Sequence, residues 1–319
     1  MRLVILCPGQ AAQRAGMLDD MLAAPDLGAL REVASEVLGE DIADWWRRLD
    51  ERALFLNANA QFAIAFYQIA VWARIAGSVP TPVAVGGYSL GEVLAWHVAG
   101  AMDARATLDL VRQRAARMDE YAPSQDGRPC LLLWRGRLSS ATRHTRDALL
   151  AKHHLQLAIQ RPGGDAVFGG TASDVAALLD EVVEWGAVRS EVAPLNVSIP
   201  AHTGLLGEVV PLFRQATAAS ICRDPSIPVL AGIDGRLCRS RHDAPDVLAQ
   251  QLASPIRWDW CQETLVSTGC DVVLELGPGS DLSRMLSAAT GSPACRSVEE
   301  FASTDSLREW LHRQASRDH

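Results

Sequence analysis

The chain has 319 residues, 48% hydrophobic and 21% charged, a globular composition long enough for one large domain with an insertion or for two modest ones. Its net charge of −8 argues against a nucleic-acid binder, which needs a basic surface to displace counterions from phosphates. Of the 30 basic residues only Lys152 is a lysine, and His153 follows it, so there is no Gly-x-x-x-x-Gly-Lys-Ser/Thr phosphate loop and Schiff-base chemistry is disfavoured.

Short apolar runs ending in Gly/Pro turns alternate with longer helical patterns. Leu3 to Cys7 predicts a strand buried on both faces, closed by Pro8-Gly9-Gln10. Asn59 to Arg74 predicts a helix with Phe62, Phe66, Ile69 and Ala73 on one stripe. A strand over Pro82 to Tyr88 runs almost directly into a helix over Leu90 to Val98, and a further helix covers Ala104 to Glu120. Between 128 and 195 the order changes: strand Cys130 to Trp134, helix Ser139 to Lys152, strands His154 to Ile159 and Ala166 to Gly169, helix Ala172 to Trp185, strand Ala187 to Val192. This β-α-β-β-α-β order is the split βαβ, or ferredoxin-like, arrangement. The alternation then resumes with a helix over Thr203 to Ala219, strands Val229 to Gly232 and Val272 to Leu276, and a helix from Asp281 to Ala288 after Gly277-Pro278-Gly279. The expectation is an α/β protein with a mostly parallel sheet covered by helices. Residues 1–127 and 196–319 would form a discontinuous large domain, with 128–195 a small inserted ferredoxin-like one.

The seven cysteines, at 7, 130, 222, 238, 261, 270 and 295, contain no Cys-x-x-Cys pair, and His-Glu-x-x-His is absent. Odd count and scattered spacing fit reduced thiols rather than a disulfide framework or a zinc site. The N-terminal apolar run is too short for a signal peptide, and no run of 18 apolar residues occurs. The expectation is a cytoplasmic protein with no metal and no membrane partner.

The stretch Gly87-Tyr88-Ser89-Leu90-Gly91-Glu92 fits Gly-x-Ser-x-Gly between a strand and a helix, the context that motif needs. Glycines at 87 and 91 permit a sharp turn that holds the serine oxygen over the positive end of the helix, where backbone N–H groups can stabilise an oxyanion. The competing reading is a glycine-rich turn with a serine cap. A serine nucleophile needs a base. Of eight histidines, His153, His154, His242, His312 and His319 sit in polar contexts and read as surface. His97 lies eight residues after Ser89, about 12 Å along the helix. His202, after Ile199-Pro200-Ala201, stands where the insertion returns to the large domain, and clefts form at such junctions.

Arg114 lies at +3 and −4 from Val111 and Met118, on their apolar helical face, whereas Arg117 shares a face with polar Gln113. An inward arginine needs an anionic partner. Its fork suits a carboxylate, either of a substrate or of an internal Asp or Glu.

Pro8-Gly9-Gln10, the Gly-Tyr-Ser-Leu-Gly-Glu turn, Gln61, Arg114, Pro200-Ala201-His202, Pro255-Ile256-Arg257-Trp258 and Glu275-Leu276-Gly277-Pro278-Gly279 together resemble the malonyl-CoA:acyl-carrier-protein transacylase family, in order and over nearly the whole chain. The resemblance implies an α/β-hydrolase-like large domain and ping-pong transfer of a malonyl group from coenzyme A to the phosphopantetheine thiol of an acyl carrier protein. It implies Ser89 as nucleophile, His202 as base, backbone N–H groups of Gln10 and Leu90 as oxyanion hole, and Arg114 as partner of the malonyl carboxylate. Gln61, Tyr88 and Ala201 would line the pocket. The family's histidine is oriented by a backbone carbonyl, and the stretch Pro228 to Gly232, with Ala231, is the matching segment. No tightly bound cofactor and a monomeric protein are expected.

Four departures bear on specificity: Tyr88 where the family commonly has His, Ala11-Ala12 for Gly-Ser, Gln160-Arg161-Pro162 for Asn-Ser-Pro, and Ala201 for Ser. They fit a specialised relative, serving polyketide synthesis or a malonate decarboxylase rather than general fatty-acid synthesis. Two other readings compete. A serine esterase of the α/β-hydrolase type would need a late histidine, here His312. A docking scaffold without turnover would keep the fold and lose the chemistry.

Overall fold

The computed structural model describes residues 1–121, 128–136, 140–184, 191–288 and 291–316. Two sheets organise them. The first contains β1 (Leu3–Cys7), β2 (Ala84–Gly87), β7 (Val229–Leu230), β8 (Leu237–Cys238), β10 (Val272–Glu275) and β11 (Ala294–Ser297), in the order β11-β10-β1-β2-β7-β8. All neighbours are parallel except the final β7–β8 pair. The second contains β3 (Leu131–Trp134), β4 (Gln156–Gln160), β5 (Ala166–Gly169), β6 (Val192–Leu195) and β9 (Ile256–Arg257), in the order β6-β3-β5-β4-β9. Its pairs are antiparallel except β4–β9. The chain is therefore a mixed α/β protein.

Side chains alternate across both sheets, as the period of two requires. Leu3, Ile5 and Cys7 enter the large core under the helices, while Val4 and Leu6 point the other way. That second face meets Leu131 and Leu133 of β3, together with Ile159, Val167 and Trp258, in a core shared by the two sheets. Leu132 and Phe168 turn to a third cluster under the helices Ser140–Lys152 and Ala172–Glu184.

Register places the functional loops side by side. Cys7 pairs with Gly87 and Leu6 with Glu275, so β1, β2 and β10 end at one level. The segments leaving them, Pro8–Gln10, Tyr88–Ser89 and Leu276–Gly279, meet at the carboxyl edge, where open parallel sheets form their binding crevice.

Several expectations need correction. The helix expected over Asn59 to Arg74 spans Asn57–Ile75; it is buried on nearly all sides between Ala60 and Val71, and Ala73 is exposed rather than part of an inner stripe. The single helix expected over Thr203 to Ala219 is a short turn, Gly204–Leu206, followed by a helix over Val209–Ser220. The last strand of the small sheet is Val192–Leu195; of the expected Ala187 to Val192, residues 187–190 lie outside the described residues, as do Ser139, Trp185 and His319. Strand β9 comes from 256–257 and so carries the second sheet beyond the expected limits of 128–195. Among the described residues no helix is long and apolar enough to cross a membrane.

Candidate active site

Two glycines are obligatory at the turn after β2. A Cβ on Gly87 would lie 2.2 Å from the backbone of Gly91 and Glu92, and one on Gly91 would lie 1.8 Å from the Cys7 carbonyl oxygen. The helix Leu90–Val98 thus packs directly on β1 and β2. Between the glycines Ser89 adopts φ 58° and ψ −117°, a conformation costly for a non-glycine residue. Leu90 is the first residue of the helix, where an N–H has no intrahelical acceptor. Gln10, in the loop after β1, lines the same cavity as Ser89.

His202 Nε2 lies 2.8 Å from Ser89 Oγ. On the other side of the ring, Nδ1 lies 2.6 Å from the backbone carbonyl oxygen of Gln251. The carbonyl accepts only, so Nδ1 carries the proton and Nε2 presents its lone pair to the serine. The carbonyl that orients the ring comes from Gln251, at the end of the helix Ala244–Gln251, and not from the segment around Ala231 expected from the resemblance. Ala231 instead bonds to Arg236 in the turn joining β7 to β8. His202 is buried, and burial pushes its pKa down to about 3; the Gln251 carbonyl opposes the shift and the charge of Arg114 adds to it. The imidazole is neutral and able to accept the hydroxyl proton.

Arg114 is only 1% exposed. Its Nη1 donates to Gln61 Oε1 at 2.7 Å and its Nη2 to Ser89 Oγ at 3.4 Å. Gln61 Nε2 donates in turn to Asn57 Oδ1 at 2.6 Å, and Asn57 Nδ2 to Asp119 Oδ1 at 3.0 Å. Among the described residues no carboxylate lies within ion-pair distance of Arg114, so the internal salt bridge weighed above is not found there. Burial lowers its pKa to about 10, offset in part by the charge of Glu92, and it stays cationic at neutral pH. Arg117, by contrast, is exposed and pairs with Glu120.

A cavity of about 490 Å³ opens in front of Ser89 and His202. Pro8 to Ala12, Tyr88 and Ala201 line its catalytic end; Leu131, Leu133, Ile159 and Leu195 form an apolar wall from the second sheet. Arg161 closes the side, donating Nε–H to the Tyr88 hydroxyl at 2.9 Å. Glu275 sits at the cavity edge and accepts from the N–H groups of Leu282 and Ser283, fixing the helix Asp281–Ser287.

The structure therefore brings together Gln10, Tyr88, Ser89, Leu90, Arg114, Ala201 and His202, while Gln61, expected to line the pocket, is buried behind it and reaches the site through Arg114. It leaves His97 aside, bonded to the Met102 carbonyl. His312 is exposed on the terminal helix Thr304–Ala315, which removes the base an esterase triad would need. His154 and His242 are exposed, while His153 is partly buried against Glu181. Sequence reasoning missed Gln251, Asn57 and Glu92. The first acts through its backbone and leaves no side-chain signal; the other two are polar positions on helices whose inward direction a stripe count at 3.6 residues could have found.

A nucleophile-type turn, a neutral histidine beside its serine and, among the described residues, a buried cation with no carboxylate partner behind it define an acyltransferase. The family model for the acyl transferase domain matches residues 4–313, and the chain belongs to that family. Malonyl CoA-acyl carrier protein transacylase of Bacillus subtilis is 30% identical over 287 residues, covering 89% of each chain. An acyl-carrier-protein S-malonyltransferase from Burkholderia pseudomallei superposes with a TM-score of 0.83 at 28% identity, over 97% of this chain and 100% of that one. A malonyl-transacylase solved in complex with a type II polyketide acyl-carrier protein superposes at 0.85 with 25% identity, over 97% and 99%.

Proposed function

We propose that the protein transfers a malonyl group from malonyl-CoA to the phosphopantetheine thiol of an acyl carrier protein, through an acyl-enzyme on Ser89. The observation that carries this reading is Arg114: a buried cation with no carboxylate partner among the described residues, within hydrogen-bond distance of the serine oxygen. An uncompensated buried charge is costly, and a free carboxylate on the acyl group supplies the missing partner through two parallel hydrogen bonds. The names of the relatives support the same substrate and carrier.

In the first half-reaction His202 Nε2 takes the Ser89 proton as Oγ attacks the thioester carbonyl. The oxyanion is met by the N–H groups of Gln10 and Leu90, and such donors contribute roughly 10²- to 10³-fold each. Collapse expels the coenzyme A thiolate, which takes the proton from His202. In the second half His202 accepts the proton of the carrier's thiol, the thiolate attacks the seryl ester, and the proton returns to Ser89. The Gln251 carbonyl stabilises the imidazolium in both halves, doing the work a carboxylate does in a Ser-His-Asp triad.

The strand order β6-β3-β5-β4 supports reading 128–195 as a ferredoxin-like insertion in an α/β-hydrolase-like body formed by 1–127 and 196–319. Seven free thiols fit a reducing cytoplasm. The test is intact-mass measurement after mixing with malonyl-CoA: an adduct of malonyl mass on the wild type, absent from Ser89→Ala and discharged by a holo carrier protein. A wild type that takes up no adduct overturns the reading.

A further inference from the structure

Glu92 has no part in the steps above, yet its carboxyl is fully buried three residues after Ser89. Its Oε2 accepts from the Gly232 N–H at 3.0 Å and from the side-chain amide of Gln251, while Oε1 has no hydrogen-bond partner among the described residues. Gly232 is shaped to this contact, since a Cβ there would lie 2.8 Å from Oε2. A buried carboxyl satisfied on one oxygen alone is expensive. Burial pushes it up to about 8, which leaves it mostly protonated at neutral pH.

What it holds is the segment that holds the catalytic histidine. Gln251 offers its backbone carbonyl to His202 Nδ1, and the Leu252 carbonyl accepts from the His202 N–H at 2.8 Å. His202 itself sits at φ 65°, a left-handed conformation that a non-glycine residue keeps only when its surroundings impose it. The side chain of Gln251 is tied to Glu92, on the helix that begins at Ser89. One carboxyl thereby links the element presenting the nucleophile to the element orienting the base.

We propose that Glu92 is a positioning residue: by fastening the Gln251 side chain it keeps the Gln251 carbonyl in line with His202 Nδ1, and so keeps His202 Nε2 directed at Ser89. The inference rests on the acyl-Ser89 reading. It implies that the carboxyl acts as an acceptor of N–H groups, a task an amide oxygen can also perform, and that Glu92 and Gln251 act as one unit.

The experiment is rapid-quench intact-mass measurement of malonyl adduct formation on the full chain, across malonyl-CoA concentrations, for wild type, Glu92→Gln, Glu92→Ala, Gln251→Ala and the double alanine variant. Glu92→Ala and Gln251→Ala should each slow acylation about 10- to 100-fold at saturation with KM within about twofold, since only part of the general-base contribution is lost. The double variant should be no slower than the worse single one, the mark of two groups acting through one contact. Glu92→Gln should stay within about threefold of wild type, its amide oxygen replacing the carboxyl acceptor. Wild-type acylation rates in either alanine variant, multiplying losses in the double variant, or a Glu92→Gln as slow as Glu92→Ala would each overturn the proposal. Should Glu92→Ala not fold, Gln251→Ala keeps the carboxyl and the backbone carbonyl and decides alone. Absence of any adduct on the wild type is a different outcome, because it overturns the acyl-serine reading and this inference with it.

Discussion

Arg161 lies against Tyr88: its Nε donates to the phenol oxygen at 2.9 Å, and its guanidinium carbon sits 5.5 Å from the ring centre. Both positions depart from the pattern of the family the chain resembles, one beside the nucleophile and one just after β4. Here they form a single contact between the two sheets. Trp258 also packs on the ring, edge to face with centroids 5.1 Å apart. A charge-assisted hydrogen bond with a stacked cation should be worth about 1–2 kcal/mol. Tyr88→Phe and Arg161→Ala, measured singly and together by urea unfolding, should show a coupling of about 1 kcal/mol. Additive costs would mean that the two residues touch without depending on each other.

Arg114→Ala should change which acyl group is accepted. If Arg114 holds the malonyl carboxylate as proposed, kcat/KM for malonyl should fall roughly 10²-fold, about 2.7 kcal/mol. Acetyl, which never satisfied the cation, should fall far less or gain. Single-turnover acylation with the two thioesters checks this, and equal losses for both would remove Arg114 from substrate selection.

The buried His202 sets the pH behaviour. Burial first, and then the charge of Arg114, hold the ring neutral, against the pull of the Gln251 carbonyl. Acylation should therefore stay level from about pH 5 to 8, with no break near the ordinary histidine value of 6.5. Stability carries the same signature. Between pH 3 and 6.5 the unfolded chain binds a proton at this residue that the folded chain does not, so its contribution to stability rises with pH by about 1.4 kcal/mol per unit. His202→Asn should flatten that slope in chemical denaturation curves; an unchanged slope would show that the ring titrates normally.

Glu92 gives a dependence of opposite sign. Its folded pKa is raised from 4.5 to about 8, so its favourable contribution is present below pH 4.5 and is lost as pH rises through 8. Glu92→Gln cannot ionise. Its Tm relative to wild type should be higher at pH 9 than at pH 5, by a few degrees in differential scanning calorimetry. The same difference at both pH values would contradict the raised pKa.

The strands with clear period-two or fully apolar patterns, such as Leu3–Cys7 and Leu131–Trp134, were legible in the amino-acid sequence, as was the turn at Ser89, because glycine is the only residue that fits at 87 and 91. Strand β7 was legible as the start of the apolar run from Val229, but β8 and β9 were not, since two residues carry no periodicity. The helices Ile42–Arg48 and Glu51–Leu54 went unread despite capping aspartates at 41 and 50, because they are too short for an apolar stripe. Ser89 and Arg114 stood out by motif and helical position and His202 chiefly through the resemblance, and both His202 Nε2 and Arg114 Nη2 lie within hydrogen-bond distance of the Ser89 hydroxyl. Gln251 was not identifiable, because a carbonyl oriented by tertiary structure is common to every residue type.

The pairing of β9 with β4 has a practical corollary for anyone recombining this chain with its relatives. The peptide that completes the small sheet, at 256–257, lies only a few residues beyond the carbonyls at 251 and 252 that hold the imidazole and the backbone N–H of His202. A chimera that exchanged 128–195 alone would seat a foreign β4 against a native β9, and any misfit would be passed along that short tether to the base. The interchangeable module is therefore two segments of sequence, and a crossover that ignores the second should yield protein that folds and transfers poorly.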